Sequence, residues 1–241
     1  NSGKQIMKVE IWSDLVCPFC YIGKRKFEHA LEQFEHKDEI EIQWRSFELQ
    51  PGLKTDGSKN QYEHLAESKG WTLDYSKKVH DHVTQSAKEV GLEYNFDIAV
   101  PANTFNAHRL SHLAAKHGLQ GEAEERLFRA YFTEGRDIDD DETLVELGVE
   151  IGLPEAEIRE MLQGDLYADE VKKDIAKARQ VGVQGVPFFV LNNKYAVSGA
   201  QPSEVFLEAL QKAYEEYEKE NAPDLISGAD GAACSIDGTC N

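Results

Sequence analysis

The order strand, cysteine pair, helix, strand near the start of the chain restricts its fold more than any other feature. Met7-Lys8-Val9-Glu10-Ile11-Trp12 alternates and is β-rich. Ser13-Asp14-Leu15-Val16 follows as a loop, and Cys17-Pro18-Phe19-Cys20 then opens a helix. From Tyr21 to Phe34 the apolar residues Ile22, Phe27, Ala30, Leu31 and Phe34 fall at helical spacing. A second alternating run, Ile40-Glu41-Ile42-Gln43-Trp44-Arg45-Ser46-Phe47, is ended by Pro51-Gly52. This is a β-α-β unit, whose two strands are expected to lie parallel.

The cysteines themselves narrow the chemistry. The chain has four, in two local pairs, with none between Cys20 and Cys234, so the fold does not rest on disulfides. Cys17 stands at a helix start, where unpaired backbone N–H groups and the positive end of the helix dipole favour a thiolate. Pro18 suits the first helical position, where its missing N–H costs nothing. Cys20, three residues on, lies in the first turn, close enough to attack a mixed disulfide formed at Cys17. Cys17 is thus the candidate attacking thiol and Cys20 the resolving one. Two other readings compete: half of a zinc site, which needs two more ligands, and an inert buried pair. The other cysteines, Cys234 and Cys240, belong to a loose tail, and an inert pair does not explain Pro18. No metal is expected.

Charge and composition exclude whole classes of partner. A net charge of −18 leaves too few Lys and Arg to neutralise nucleic-acid phosphates, and it opposes docking on an anionic membrane. No apolar run is long enough to span a bilayer. The start, Asn1 to Ile6, carries no apolar signal-peptide core, and Met7-Lys8-Val9 reads as close to a natural beginning, so the expected location is the cytoplasm.

Beyond the first unit, a helical stretch runs from about Gln61 to Val181, punctuated by Gly70, Gly91, Pro101, Gly118, Gly135, Gly152-Leu153-Pro154 and Gly164. Asp139-Asp140-Asp141-Glu142 reads as a helix start favoured by the N-terminal dipole; it lacks the loop pattern of a calcium site. Phe188 to Leu191 is a buried-strand signal, and Asn192-Asn193 turns it into Lys194-Tyr195-Ala196-Val197-Ser198 as a hairpin. A last amphipathic helix is expected from Ser203, as N-cap, to Glu220. The expected division is therefore 1–56 (β-α-β), 57–181 (helical insertion), 182–220 (β-β-α) and a tail, 221–241, holding Cys234 and Cys240. Pro187, which cannot donate a ladder hydrogen bond, belongs at the strand start.

Four ordered blocks carry a family resemblance: Ser13-Asp14 with Cys17-Pro18-Phe19-Cys20-Tyr21-Ile22-Gly23-Lys24; Asn103-Thr104 with Ala107-His108-Arg109; Gly182-Val183-Gln184-Gly185-Val186-Pro187-Phe188-Phe189; and Ser198-Gly199-Ala200-Gln201-Pro202. Together they resemble DsbA-family thiol–disulfide oxidoreductases, and among them the FrnE-like, protein disulfide isomerase-like subgroup, from about Met7 to Tyr217. The resemblance implies an α/β, thioredoxin-like fold with a large inserted all-helical domain, and a redox-active disulfide Cys17–Cys20 with no other cofactor. It implies a cis Pro187 facing that pair, and oxidation, reduction or isomerisation of disulfides in proteins or peptides, with glutathione as a candidate redox partner. Pro18, Phe19 and Val186 are then the expected substrate contacts, the last through its backbone. His108 and Arg109 would lie on an insertion helix facing the redox centre and favour the thiolate; the alternative is a packing His and a surface Arg. The Pro-Phe dipeptide departs from the Pro-His of the periplasmic oxidants. FrnE-like proteins also resemble this chain in an extra C-terminal cysteine pair, so Cys234-Ser235-Ile236-Asp237-Gly238-Thr239-Cys240 is either a second redox pair or a disulfide clip across an Asp-Gly turn. Glutathione-dependent isomerases and kappa-type glutathione transferases share the architecture but usually carry Ser at the position of Cys17. A non-catalytic peptide-binding module is the third class; two cysteines favour thiol exchange.

Overall fold

In the computed structural model, which describes residues 5–224, β1 (Met7–Ser13) is the central strand, with Met7, Val9, Glu10, Ile11, Trp12 and Ser13 all buried. Its edges are paired on both sides, β2 (Ile40–Ser46) on one and β3 (Phe188–Leu191) on the other, with β4 (Tyr195–Ser198) outermost in the order β2-β1-β3-β4, while side chains of other elements cover its faces. β1 and β2 are parallel, in register from Met7↔Ile40 to Ser13↔Ser46. β3 runs antiparallel to β1, from Val9↔Leu191 to Trp12↔Phe188, and pairs with β4 through the hairpin. Asn192 and Asn193 take positive φ in that turn, 53° and 56°, which Asn tolerates better than other side chains.

The crossover between β1 and β2 is α1 (Pro18–Gln33). It packs against α9 (Ser203–Glu220), and Phe27, Phe189 and Phe206 meet between helices and sheet with ring centroids 4.6–5.7 Å apart. Ser203, expected as the N-cap of α9, is instead its first helical residue; Pro202 precedes it with φ −55° and ψ 149°, and no side-chain cap bond is made. The fixed proline φ already suits entry into a helix.

Between β2 and β3 come α2 (Gln61–Lys69), α3 (Leu73–Glu89), α4 (Phe105–Lys116), α5 (Gln120–Phe132), α6 (Asp141–Glu150), α7 (Glu155–Gln163) and α8 (Ala168–Val181). Asn60, Thr72 and Asp140 cap α2, α3 and α6 through their side chains, so the acidic run at 139–142 is a helix start. The fold is therefore α/β, a thioredoxin-like core with an inserted helical domain. The two parts share one hydrophobic cluster that runs from Met7, Ile11 and Phe27 to Phe132, Leu144 and Ile158.

The insertion also covers the free edge of β2. Trp44 N–H donates to Gln120 Oε1 at 3.0 Å, while Gln120 Nε2 donates back to the Trp44 carbonyl at 3.1 Å. Ser46 N–H donates to Asp174 Oδ2 at 2.9 Å. Side-chain amide and carboxylate groups thus replace a neighbouring strand, and the edge presents less bare backbone to another chain. No helix among the described residues is long and apolar enough to cross a membrane.

Candidate redox site

The site forms where β1 ends and α1 begins. Cys17 is the N-cap of α1, with φ −84° and ψ 113°, and Pro18 is the first helical residue. The cap is closed by backbone: Cys17 N–H donates to the Asp14 carbonyl at 3.1 Å, and Cys20 N–H to the Cys17 carbonyl at 3.1 Å. Both cysteines are free thiols; Cys17 is 5% exposed and Cys20 1%. Burial pushes the Cys20 thiol well above its ordinary range, and the neighbouring Cys17 adds to this; the Ser13 hydroxyl and the Asp14 backbone N–H act in the opposite sense.

From the far end of the sequence, β3 brings Pro187 to Cys17. The Val186–Pro187 bond is cis, and the Cys17 thiol donates to the Val186 carbonyl at 3.6 Å. Pro187 is held in turn by Gly199 N–H, 2.9 Å from its carbonyl. Gly23 faces the proline ring: a Cβ there would stand 3.0 Å from Pro187 Cγ and 3.5 Å from Ala200 Cβ. Phe19, by contrast, turns outward and is 45% exposed.

Beneath the pair lies a polar arrangement that the sequence did not disclose. Asp14 is fully buried, and its carboxylate accepts from Leu15 N–H and Leu49 N–H, each at 2.9 Å, and lies 3.0 Å from His108 Nε2. Burial opposes the His108 cation, but the bond to Asp14 and its charge outweigh this, and the imidazole pKa is raised; Glu124 and Glu48 add to the effect. His108 therefore reaches the redox turn through Asp14, whose main chain contacts both cysteines. Arg109 does not share in this. Its guanidinium donates to the carbonyls of Met161, Gly164 and Leu166 and to Asn106 Oδ1, so it ties down the α7–α8 loop. Neither the bare surface role nor a place beside Cys17 describes it.

Tyr94 and Ser13 are two further contacts that sequence reasoning missed. Tyr94 Oη donates to the Pro18 carbonyl at 2.6 Å, from a buried stack with Tyr21 and Phe132. Burial and then the two sulfurs push its phenol upward. Ser13 Oγ is buried without a nitrogen or oxygen partner and turns to Cys20. No signal in the sequence marks Tyr94, which lies in the loop between α3 and α4; Ser13 was marked only by its place before Asp14. Cys234 and Cys240 lie outside the described residues. Among the described residues no three His, Cys, Asp or Glu side chains gather as a metal site would require.

Residues 8–211 match the DSBA-like thioredoxin domain. This chain belongs to the DSBA family. A probable DsbA oxidoreductase from Streptomyces coelicolor is similar at 40% identity, covering 98% of each chain with a TM-score of 0.82. Uncharacterized protein YwbO of Bacillus subtilis is 29% identical over 205 residues, 84% of this chain and 94% of YwbO. The cytosolic disulfide reductase DsbM from Pseudomonas aeruginosa, solved with GSH, shares the fold at 17% identity, a TM-score of 0.59, and coverage of 88% of this chain and 98% of DsbM. In a DSBA family member of this architecture, Cys17 and Cys20 are the candidate pair for thiol–disulfide exchange.

Proposed function

We propose that this protein reduces, oxidises or isomerises disulfides of proteins and peptides, with Cys17 as nucleophile and Cys20 as resolving thiol. The observation that carries the reading is the placement of Cys17 at a helix N-cap, 3.6 Å from the carbonyl of Val186, the residue before cis Pro187. In the reducing direction, the Cys17 thiolate attacks a substrate disulfide; a Cys17–substrate disulfide forms, and the departing substrate sulfur takes a proton. Cys20, losing its proton, then attacks Cys17 Sγ. The second substrate thiol leaves, two electrons have passed to the substrate, and a Cys17–Cys20 disulfide remains. The reverse sequence oxidises a dithiol. Extended substrate backbone pairs with Val186, and Pro18 and Phe19 form the opposite rim.

Within the family we place the chain with the FrnE-like proteins and in the cytoplasm, with glutathione returning the Cys17–Cys20 disulfide to dithiol at the cost of two thiols oxidised to one glutathione disulfide. The glutathione-bound DsbM of the same fold supports this choice of reductant. Cysteine at position 17, where glutathione transferases of this architecture usually carry Ser, together with Cys20 favours thiol exchange over binding glutathione without redox cycling. Cys234 and Cys240 act either as a second redox pair or as a clip; replacing both with Ser slows steady-state turnover in the first case and leaves it unchanged in the second.

Insulin reduction by Cys17→Ser is the direct test. The variant is expected to lose all activity while keeping its fold, and activity equal to the parent refutes the reading. The reduction potential of Cys17–Cys20 against glutathione then assigns direction, a strongly reducing value indicating a reductase and an oxidising one an oxidase or isomerase.

A further inference from the structure

Side chains alternate along a strand, so Met7, Val9, Ile11 and Ser13 of β1 share one face of the sheet. Met7, Val9 and Ile11 belong to the cluster that also holds Cys17, Cys20 and Phe27, whereas Trp12 packs on the other face with Ala178. The face beneath α1 is thus apolar up to its last position, where Ser13 stands 2% exposed. Ser13 Oγ is buried without a hydrogen-bond partner, and it is the one hydroxyl in that condition among the described residues. A buried polar atom left unpartnered costs stability, and folded proteins keep few of them.

What this hydroxyl faces is Cys20. That sulfur is 1% exposed, so water is kept from the charge that it carries when it attacks Cys17 Sγ. Ser13 Oγ and the Asp14 backbone N–H both favour its anion, against the burial that opposes it. The titratable groups turned toward Cys20 are Cys17 at the helix cap and Tyr94 from the α3–α4 loop, whose hydroxyl donates to the Pro18 carbonyl. The Asp14 carboxylate is taken up by Leu15 N–H, Leu49 N–H and His108. Ser13 is therefore an uncommitted donor beside a sulfur that becomes charged where solvent does not reach. A donor already in place when charge develops needs no reorganisation to meet it.

We propose that Ser13 is a catalytic residue of the resolving step, its hydroxyl donating to the Cys20 sulfur as that sulfur ionises and attacks the mixed disulfide at Cys17. This rests on the reading of Cys17 as nucleophile and Cys20 as resolving thiol. Cys20 gives its proton to the buffer, and its anion attacks Cys17 Sγ. The Cys17–Cys20 bond forms as the bond from Cys17 to the substrate sulfur breaks, and the substrate sulfur leaves with that electron pair. Once the charge has left Cys20, the Ser13 hydroxyl is again without a partner.

The test is stopped-flow oxidation of the reduced full-length chain by dithiobisnitrobenzoate, with Cys234 and Cys240 replaced by Ser in parent and variants alike. Cys17 attacks the reagent and releases one thionitrobenzoate anion; Cys20 then attacks Cys17 Sγ and releases a second. One absorbance trace thus records both steps, the first phase proportional to reagent concentration and the second independent of it. Ser13→Ala is expected to leave the first phase as in the parent and to slow the second about tenfold at neutral pH. Loss of a hydrogen bond to a charged group lowers the ionised fraction by up to about a hundredfold, and the greater nucleophilicity of the more basic thiolate restores about half of that on a logarithmic scale. The second phase of the variant is also expected to rise with pH to a higher midpoint. Because the hydroxyl has no partner in the dithiol, the thermal midpoint of reduced Ser13→Ala is expected to equal or exceed the parent's. Ser13→Thr, which keeps the hydroxyl, is expected to retain the parent's second phase. A parent-like second phase in Ser13→Ala, equal slowing of both phases, a lowered thermal midpoint, or a folded Ser13→Thr as slow as Ser13→Ala overturns the role of Ser13 and leaves the oxidoreductase standing. Absence of thionitrobenzoate release from the parent overturns the nucleophile and the role of Ser13 together.

Discussion

Cys17, Pro18, Cys20 and Pro187 are single residues whose roles depend on their local backbone: a helix cap, a first helical position, a first turn and a strand start. Such roles are written in immediate neighbours, which is why they were legible before any coordinates. Gly23 belongs to the same scale and gives a sharper test. A methyl group there adds helix propensity, about 1 kcal/mol in favour of folding, but meets the Pro187 ring at 3.0 Å. Gly23→Ala is therefore expected to keep or slightly raise the thermal midpoint while slowing disulfide exchange about tenfold, because the ring must move from beside Cys17. Equal exchange rates for parent and variant, measured in the insulin assay, contradict that account. Tyr94 and Asp14 were less legible for the converse reason. The Tyr94 hydroxyl acts on a carbonyl 76 positions away, and Asp14 serves through three partners, two of them on other elements.

Between elements, α4 reaches the end of β1 through the His108–Asp14 pair. The groups facing His108 are Asp14 from the β1–α1 loop, Glu48 from the segment after β2, and Glu124 from α5. Its pKa in the fold lies above the ordinary 6.5, so the folded state binds the proton more tightly than the unfolded chain. The resulting stability is complete below about pH 6.5 and is lost as pH rises through the higher folded value. The urea midpoint of the parent is expected to fall across that window. His108→Gln is expected to start lower, stay flatter and converge with the parent at the alkaline end. Parallel curves for the two proteins remove the pair from the account. The helical order of the insertion was visible in its glycine punctuation and caps, whereas the packing of α4, α5 and α8 against β2 was not. Nothing in the sequence singles out Gln120 or Asp174, and only the course of the chain reveals that they pair with strand backbone.

For the molecule as a whole, the continuous cluster joining core and insertion predicts how it comes apart. In a Trp71→Phe variant, which removes the tryptophan between α2 and α3, Trp12 and Trp44 report on the sheet, while most helical signal comes from the segments between β2 and β3. Because the larger cluster runs through both parts and a smaller one joins Trp12 to Ala178 of α8, far-UV circular dichroism and tryptophan fluorescence are expected to give a single transition with coincident midpoints; two separated midpoints show that the parts unfold independently. The arrangement of the chain through that core also has a consequence for synthesis. Cys17 and Val186 touch across 169 positions of sequence. At ordinary rates of translation the ribosome takes roughly 8 to 34 s to cross that interval. During it, both thiols of the first turn have been made while the strand that will guard them has not. Each newly made copy thus passes through an interval in which its most reactive atoms are without their lid, and the reducing power of its surroundings decides whether they are still free when the lid arrives.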